Sequence, residues 1–145
     1  MNTMEFEFVK GPIVLDQLLI EFPPSIQSGN YGASSWFIGI VRGDEIDRKI
    51  VEAIEYTAYE ELAKCQMNEI FSEVTRDFYG QHVKVQHSLG VVPKGSACLA
   101  VVVSGRHRKD SIGLCSHIVE EIKKKLPVWG KELFHDNEYQ WKVNL

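Results

Sequence analysis

Residues 97–127, ACLAVVVSGRHRKDSIGLCSHIVEEIKKKLP, change their periodicity midway. As far as Gly105 the side chains are small, apolar and β-branched, and the run reads as a strand. From Asp110 the apolar residues recur at intervals of three and four, which reads as a helix stopped by Pro127. On a wheel turning about 100° per residue, Ile112, Cys115, Ile118, Val119, Ile122 and Leu126 share one face and Lys124 points away from it.

The same alternation of strand-like and helix-like stretches extends in both directions. MEFEFVK from Met4 reads as a strand, and residues 11–22 read as a short helix with Pro12 in its first turn. Residues 23–32 read as a loop and ASSWFIGIV from Ala33 as a strand, followed by the charged turn RGDEIDRK. IVEAIEYTAY alternates with no clear choice of buried face. Residues 58–79 carry a helical stripe of Leu62, Cys65, Met67 or Asn68, Ile70, Val74 and Phe78, closed by Gly80. HVKVQHSLGVV and ACLAVVVSG are two strands joined by PKGS, and residues 131–144 form a closing hairpin around Asp136-Asn137. The expectation is a single α+β domain over residues 1–145.

Composition narrows the function. With 20 acidic against 16 basic residues the net charge is −4, which argues against a general nucleic-acid binder. The N-terminus shows no signal-peptide pattern, and apolar runs such as CLAVVV are too short to span a bilayer. Cys65, Cys98 and Cys115 are widely spaced, which predicts reduced cytoplasmic thiols filling the core. The five histidines share no ligand spacing, so no metal is assigned, and no cofactor motif is present.

Anion recognition in such a chain has to be local. Lys123, Lys124 and Lys125 end the last helix, with Lys131 beyond. A macrodipole favours lysines there whatever their role, and the wheel does not choose between Lys123 and Lys125 as the functional one. Arg106, His107 and Arg108 precede the helix, where backbone N–H groups and guanidinium groups form an anion site; a solvated turn capped by Asp110 is the alternative. Arg42 closes the strand WFIGIVR.

Taken in order, GASSWFIGIVR, IEYTAYEELA, VQHSLGVVPKG, HRKD and IKKKLPVWGKE, with the late Trp141, resemble the large, catalytic subunit of molybdopterin synthase, the MoaE family. The resemblance spans roughly residues 32–142. It implies an α/β-hammerhead fold with additional antiparallel strands, and a homodimer at the core of a heterotetramer. Its partner would be a small ubiquitin-like sulfur carrier whose Gly-Gly tail bears a thiocarboxylate, and its substrate cyclic pyranopterin monophosphate. Lys123 matches the catalytic lysine. Ile40, Val41, Arg42, His107, Arg108, Gly130, Lys131 and Glu132 match substrate- and tail-binding positions, with Glu132 expected to orient a lysine.

The chain departs from the family at three places. PVWGKE puts Gly130 where a lysine is usual, so either Lys131 swings into that catalytic role or the second lysine function is lost. Ser88 stands where arginine is common, and HRKDSIG replaces HRxxAF. The other reading of these departures is a non-catalytic paralogue that binds a ubiquitin-like partner or a pterin.

Overall fold

The computed structural model describes residues 1–21 and 28–143. The elements are β1 (Thr3–Lys10), α1 (Leu15–Glu21), β2 (Ala33–Ile40), β3 (Glu45–Ile46), β4 (Lys49–Ala58) and α2 (Glu60–Val74). They continue with β5 (His82–Pro93), β6 (Ala97–Gly105), α3 (Arg108–Lys125), β7 (Val128–Phe134) and β8 (Tyr139–Trp141). The strands run in the order β2-β6-β5-β4-β7-β8, with β1 added to β5 and β3 to β4. Every pairing is antiparallel except that of β1 with β5.

The long strand β5 joins the two halves of this sheet. Its residues from His82 pair with β1 and β6, whereas Gly90–Pro93 pair with β4. Gly90 marks the handover with a φ of 81°, a conformation that favours glycine. Helices α2 and α3 cover one face, packing Met67, Ile70, Val74, Leu114, Ile118 and Ile122 against Val83, Val85, Val101 and Val103. On the opposite face Ile13 and Leu18 pack against Ala100 and Val102. The apolar run of β6 is therefore buried from both sides, at about 1.5–3 kcal/mol for each large side chain.

Several expectations are corrected in detail. Helix α1 starts at Leu15, because the N–H groups of Gly11 and Ile13 donate to Leu89 O and Ala97 O and hold residues 11–14 against strand ends. Pro12 is therefore not in its first turn. Phe22 and positions 23–27, within the anticipated helix end and loop, lie outside the described residues, as does Asn144. The charged turn contains β3, which folds back on β4 with Asp47 and Arg48 at positive φ, as a type I′ hairpin turn requires. The ambiguous face of β4 has a physical cause: a register shift against β7 between Val51 and Ala53 swaps the buried phase from Val51 to Ile54 and Tyr56.

Helix α2 is shorter than residues 58–79, since Ala58 still belongs to β4 and the Thr75 hydroxyl donates to Phe71 O at the other end. Its buried stripe is Ala63, Met67, Ile70 and Val74; Leu62 and Cys65 are exposed. The small Ala63 allows close approach that a stripe read from larger side chains overlooks. Helix α3 starts at Arg108 with His107 at the N-cap, so Asp110 lies in the first turn and does not cap it. Ser111 and Leu114 are buried while Ile112 is exposed. The hairpin turns at Asp136-Asn137 as anticipated, with Glu138 N donating to Asp136 Oδ1 and Lys49 paired to the carboxylates of Asp136 and Glu138.

Gly32 joins the start of β2 to the loop before α3: its N–H donates to Gly105 O, and a Cβ there would lie 2.3 Å from the backbone oxygen of Arg106. Only backbone movement relieves that overlap. Gly32→Ala is expected to lower the unfolding free energy by about 1–3 kcal/mol, read from the urea midpoint, and an unchanged midpoint would refute this close approach.

Candidate active site

Helix α3 delivers Lys123 to the junction with β7. The helix ends at Lys125, and Leu126, which precedes a proline, is extended (ψ 128°) while its N–H still bonds Ile122 O. Pro127 O accepts from Tyr59 N, which fastens the turn to the end of β4. The last helical turn, β4, β5 and β7 thereby line a small pocket of about 80 Å³. Tyr56, His87, Lys123, Trp129, Gly130 and Lys142 line it, over an apolar floor that includes Ile122 and Val128.

The electrostatics of the pocket follow from burial. Lys123 is exposed as a residue, and partial desolvation where its ammonium faces the pocket is the largest cause of a pKa below the ordinary lysine range. Cys98 pulls the other way, and Lys142 lowers it further. The neighbouring lysines contribute no comparable push. Lys125 instead pairs with Glu121 at 2.8 Å and Glu73 at 3.3 Å, which raises its own pKa. His87 is buried and held neutral, its pKa pushed down to about 4 by desolvation and by Lys123, against the opposing hydrogen bond to Ser88 O. A neutral ring facing a carbonyl at 2.8 Å must donate from Nδ1, leaving Nε2 as an acceptor. Tyr56 packs edge-on against His87 at 5.2 Å, and burial, Cys98 and Glu132 together raise its pKa, so its hydroxyl stays protonated.

The residues anticipated from sequence divide into groups. Lys123 and Gly130 line the pocket, and Glu132 is buried on the same face of β7, where it accepts from Gln140 Nε2 at 3.2 Å rather than contacting a lysine. Lys131 is on the other face. Its ammonium stands over the rings of Tyr139 (4.4 Å) and Trp141 (5.3 Å) and 4.0 Å from Glu55. The β-alternation separates Lys131 from Gly130, so the two face opposite ways. Val41 is buried in the core, Ile40 is exposed, and Arg42 pairs with Asp44 at 3.2 Å in the open.

His107 and Arg108 are exposed at the opposite end of α3 from Lys123. Fifteen positions along a helix amount to about 22 Å, so one protomer does not gather both basic groups around one ligand. Ser88 is fully buried, which leaves it no room to replace a surface arginine. Sequence reasoning assigned no role to Tyr56 and His87, although both lie inside the quoted motifs, and it missed Lys142.

The buried His87 predicts a pH dependence of stability. The unfolded chain binds a proton near pH 6.5 that the native ring does not take up until about pH 4. Stability is therefore expected to fall as pH drops from about 6.5 toward 4, by up to roughly 3 kcal/mol. His87→Gln should flatten that part of the urea-denaturation profile; an equal slope in the variant would mean that the ring is not buried neutral.

Comparison with known proteins sets this geometry in a family. Residues 11–125 match the family model described as MoaE protein, so the match stops short of β7 and β8. Molybdopterin synthase catalytic subunit 1 of Aedes aegypti is 40% identical over 116 residues, covering 78% of this chain and 74% of that protein. Among solved structures, molybdopterin synthase from Staphylococcus aureus superposes with a TM-score of 0.82 at 28% identity, covering 95% of this chain and 96% of the other. The complex of subunits 1 and 2 of molybdopterin-converting factor from Helicobacter pylori gives 0.81 at 26% identity, covering 94% and 88%. The chain belongs to the MoaE protein family.

Proposed function

We propose that this chain is the catalytic subunit of a cytoplasmic molybdopterin synthase. It moves sulfur from the thiocarboxylated C-terminus of a small ubiquitin-like carrier to cyclic pyranopterin monophosphate, building the dithiolene of molybdopterin. The observation that carries this reading is the pocket at the end of α3, where a lysine with a depressed pKa faces an anion-sized space walled by neutral His87 and Tyr56. A carrier tail and a phosphate-bearing pterin are both anionic, and a local basic pocket suits them in a chain of net charge −4.

In this mechanism Lys123 Nζ moves protons. Its lowered pKa raises the fraction of neutral amine near pH 7, which takes a proton from the reacting centre and returns it as ammonium. Trp129 and the apolar floor limit water around the reacting thiocarboxylate. No helix among the described residues is long and apolar enough to cross a membrane.

A homodimer completes the site. The roughly 22 Å between Arg108 and Lys123 is too great for one small substrate, whereas a two-fold axis sets the α3 start of one copy beside the α3 end of the other. Strand β2 supports this arrangement as the open end of the sheet order. Beside it Trp36, Phe37, Ile112, Cys115 and Val119 line an apolar groove, and Ile112 is 60% exposed. Arg42 lies at the same end of the α3 layer as Lys123, because β2 and α3 run in parallel from Ser35 beside Ser111 (2.8 Å).

The test is dithiolene formation from cyclic pyranopterin monophosphate and thiocarboxylated carrier. Lys123→Ala is expected to reduce kcat by at least about 100-fold with carrier still bound. Carrier binding without product from the wild type would favour the binding-only paralogue. Isolated mixed dimers of Lys123→Ala with His107→Ala/Arg108→Ala retain one intact composite site. They are expected to recover about half of wild-type turnover. Mixed dimers as inactive as either parent would mean that the two basic groups do not share a site.

A further inference from the structure

Lys142 follows β8 directly. Its N–H donates to Gly130 O at 2.8 Å, which extends the β7–β8 ladder by one step beyond the pairing of Lys131 with Trp141. Strand alternation then gives residue 142 the face of Gly130 and Glu132 and not that of Lys131. The side chain of Lys142 accordingly lines the pocket together with Lys123.

The charges in the pocket are one-sided. Facing Lys123 are Tyr56 from β4, His87 from β5, Cys98 from β6 and Lys142 from the chain after β8. Tyr56 and His87 are neutral, and among the described residues no carboxylate lines the pocket. Glu132, the acidic group nearest Tyr56, is buried behind it with Gln140 as its partner. On α3 itself Glu121 is committed to Lys125. Among the described residues, two ammonium groups therefore share a small cavity without a counter-ion.

Strand β7 has no means of supplying a second cation from position 130. A Cβ on Gly130 would lie 2.9 Å from Ile54 Cγ2 and 3.3 Å from the Tyr56 ring, so that space is already filled. Lys131 is held on the outer face by two aromatic rings and Glu55.

We propose that Lys142 is the second cation of the active site, binding an oxyanion jointly with Lys123 and positioning the Lys123 amine. This rests on the pocket being the sulfur-transfer site. The oxyanion is the substrate phosphate or the carboxyl end of the carrier tail, two sources of one chemistry. With the pocket empty, Lys142 disfavours the charged form of Lys123 and keeps more of it as free amine. Once an oxyanion is bound, the two ammonium groups share its charge.

Lys142→Gln and Lys142→Arg test this, with Lys124→Ala as a control on the outward side of the helix. In Lys142→Gln the KM for the pterin or the Kd for the carrier is expected to rise about tenfold or more. A change confined to the pterin assigns the phosphate, and one confined to the carrier assigns the tail. The ascending limb of the kcat/KM profile should move to higher pH, because removing a neighbouring positive charge raises the Lys123 pKa. Lys142→Arg should restore affinity and the limb. Unchanged KM, Kd and pH limb in Lys142→Gln, with an unchanged melting temperature, would overturn the proposal. The rate at which a small acylating reagent modifies the Lys123 amine, followed against pH, reads the same coupling without turnover. It separates failure of this inference from failure of the synthase reading.

Discussion

The buried face of α3 holds the candidate site together. Leu114, Ile118 and Ile122 are each at most 3% exposed against the sheet, and the Ser111 hydroxyl donates to Val103 O at 2.8 Å near the other end. Fixed at both ends, the helix cannot slide or rotate without opening the core, so the places of Lys123 and His107 follow from its length alone. A helix of 18 residues spans about 27 Å, comparable to the width of the layer on which it lies. Lys123 and the His107–Arg108 pair end up at opposite ends of the rod. In the proposed synthase a single protomer therefore brings only one of them to a given pocket.

The pocket has the opposite polarity to the chain around it. Desolvation does most of this. It keeps His87 and Tyr56 uncharged and depresses Lys123, so the local field is set by two ammonium groups rather than by the surplus of carboxylates elsewhere. Those carboxylates are occupied or remote: Glu121 and Glu73 pair with Lys125, Glu55 with Lys131 and Asp44 with Arg42. An overall negative charge and a cationic pocket are compatible because low dielectric and distance act at different scales.

Much of this was legible in the sequence where a single period governed it. The strand-to-helix change around Gly105, the stop at Pro127 and the turn at Asp136-Asn137 each follow from local chemistry. Reading failed where two elements had to be registered against each other. The bulge in β4 interrupts an alternation that no local rule breaks, and the Ala63 stripe depends on how closely α2 approaches the sheet. The reassignment from Lys131 to Lys142 is a middle case. Phe134 pairs with Glu138 across a three-residue loop, His135–Asn137, and counting outward from that pair sets Lys142 opposite Gly130; a two-residue turn at Asp136-Asn137 would have set it opposite Lys131, so the sequence alone did not decide the register. The separation of Lys123 from His107 was countable from the helix length, and the motifs, read as a set, concealed it.

The tight seat around Gly130 makes three positions depend on one another. The Ile54 methyl and the Tyr56 ring fill the volume that a side chain at position 130 would need. A larger residue there has to displace both, so substitutions at 54, 56 and 130 do not act independently: bulk gained on β7 is tolerated only where bulk is given up on β4. The identity of residue 130 is thus decided by core packing as much as by the chemistry of the pocket it lines.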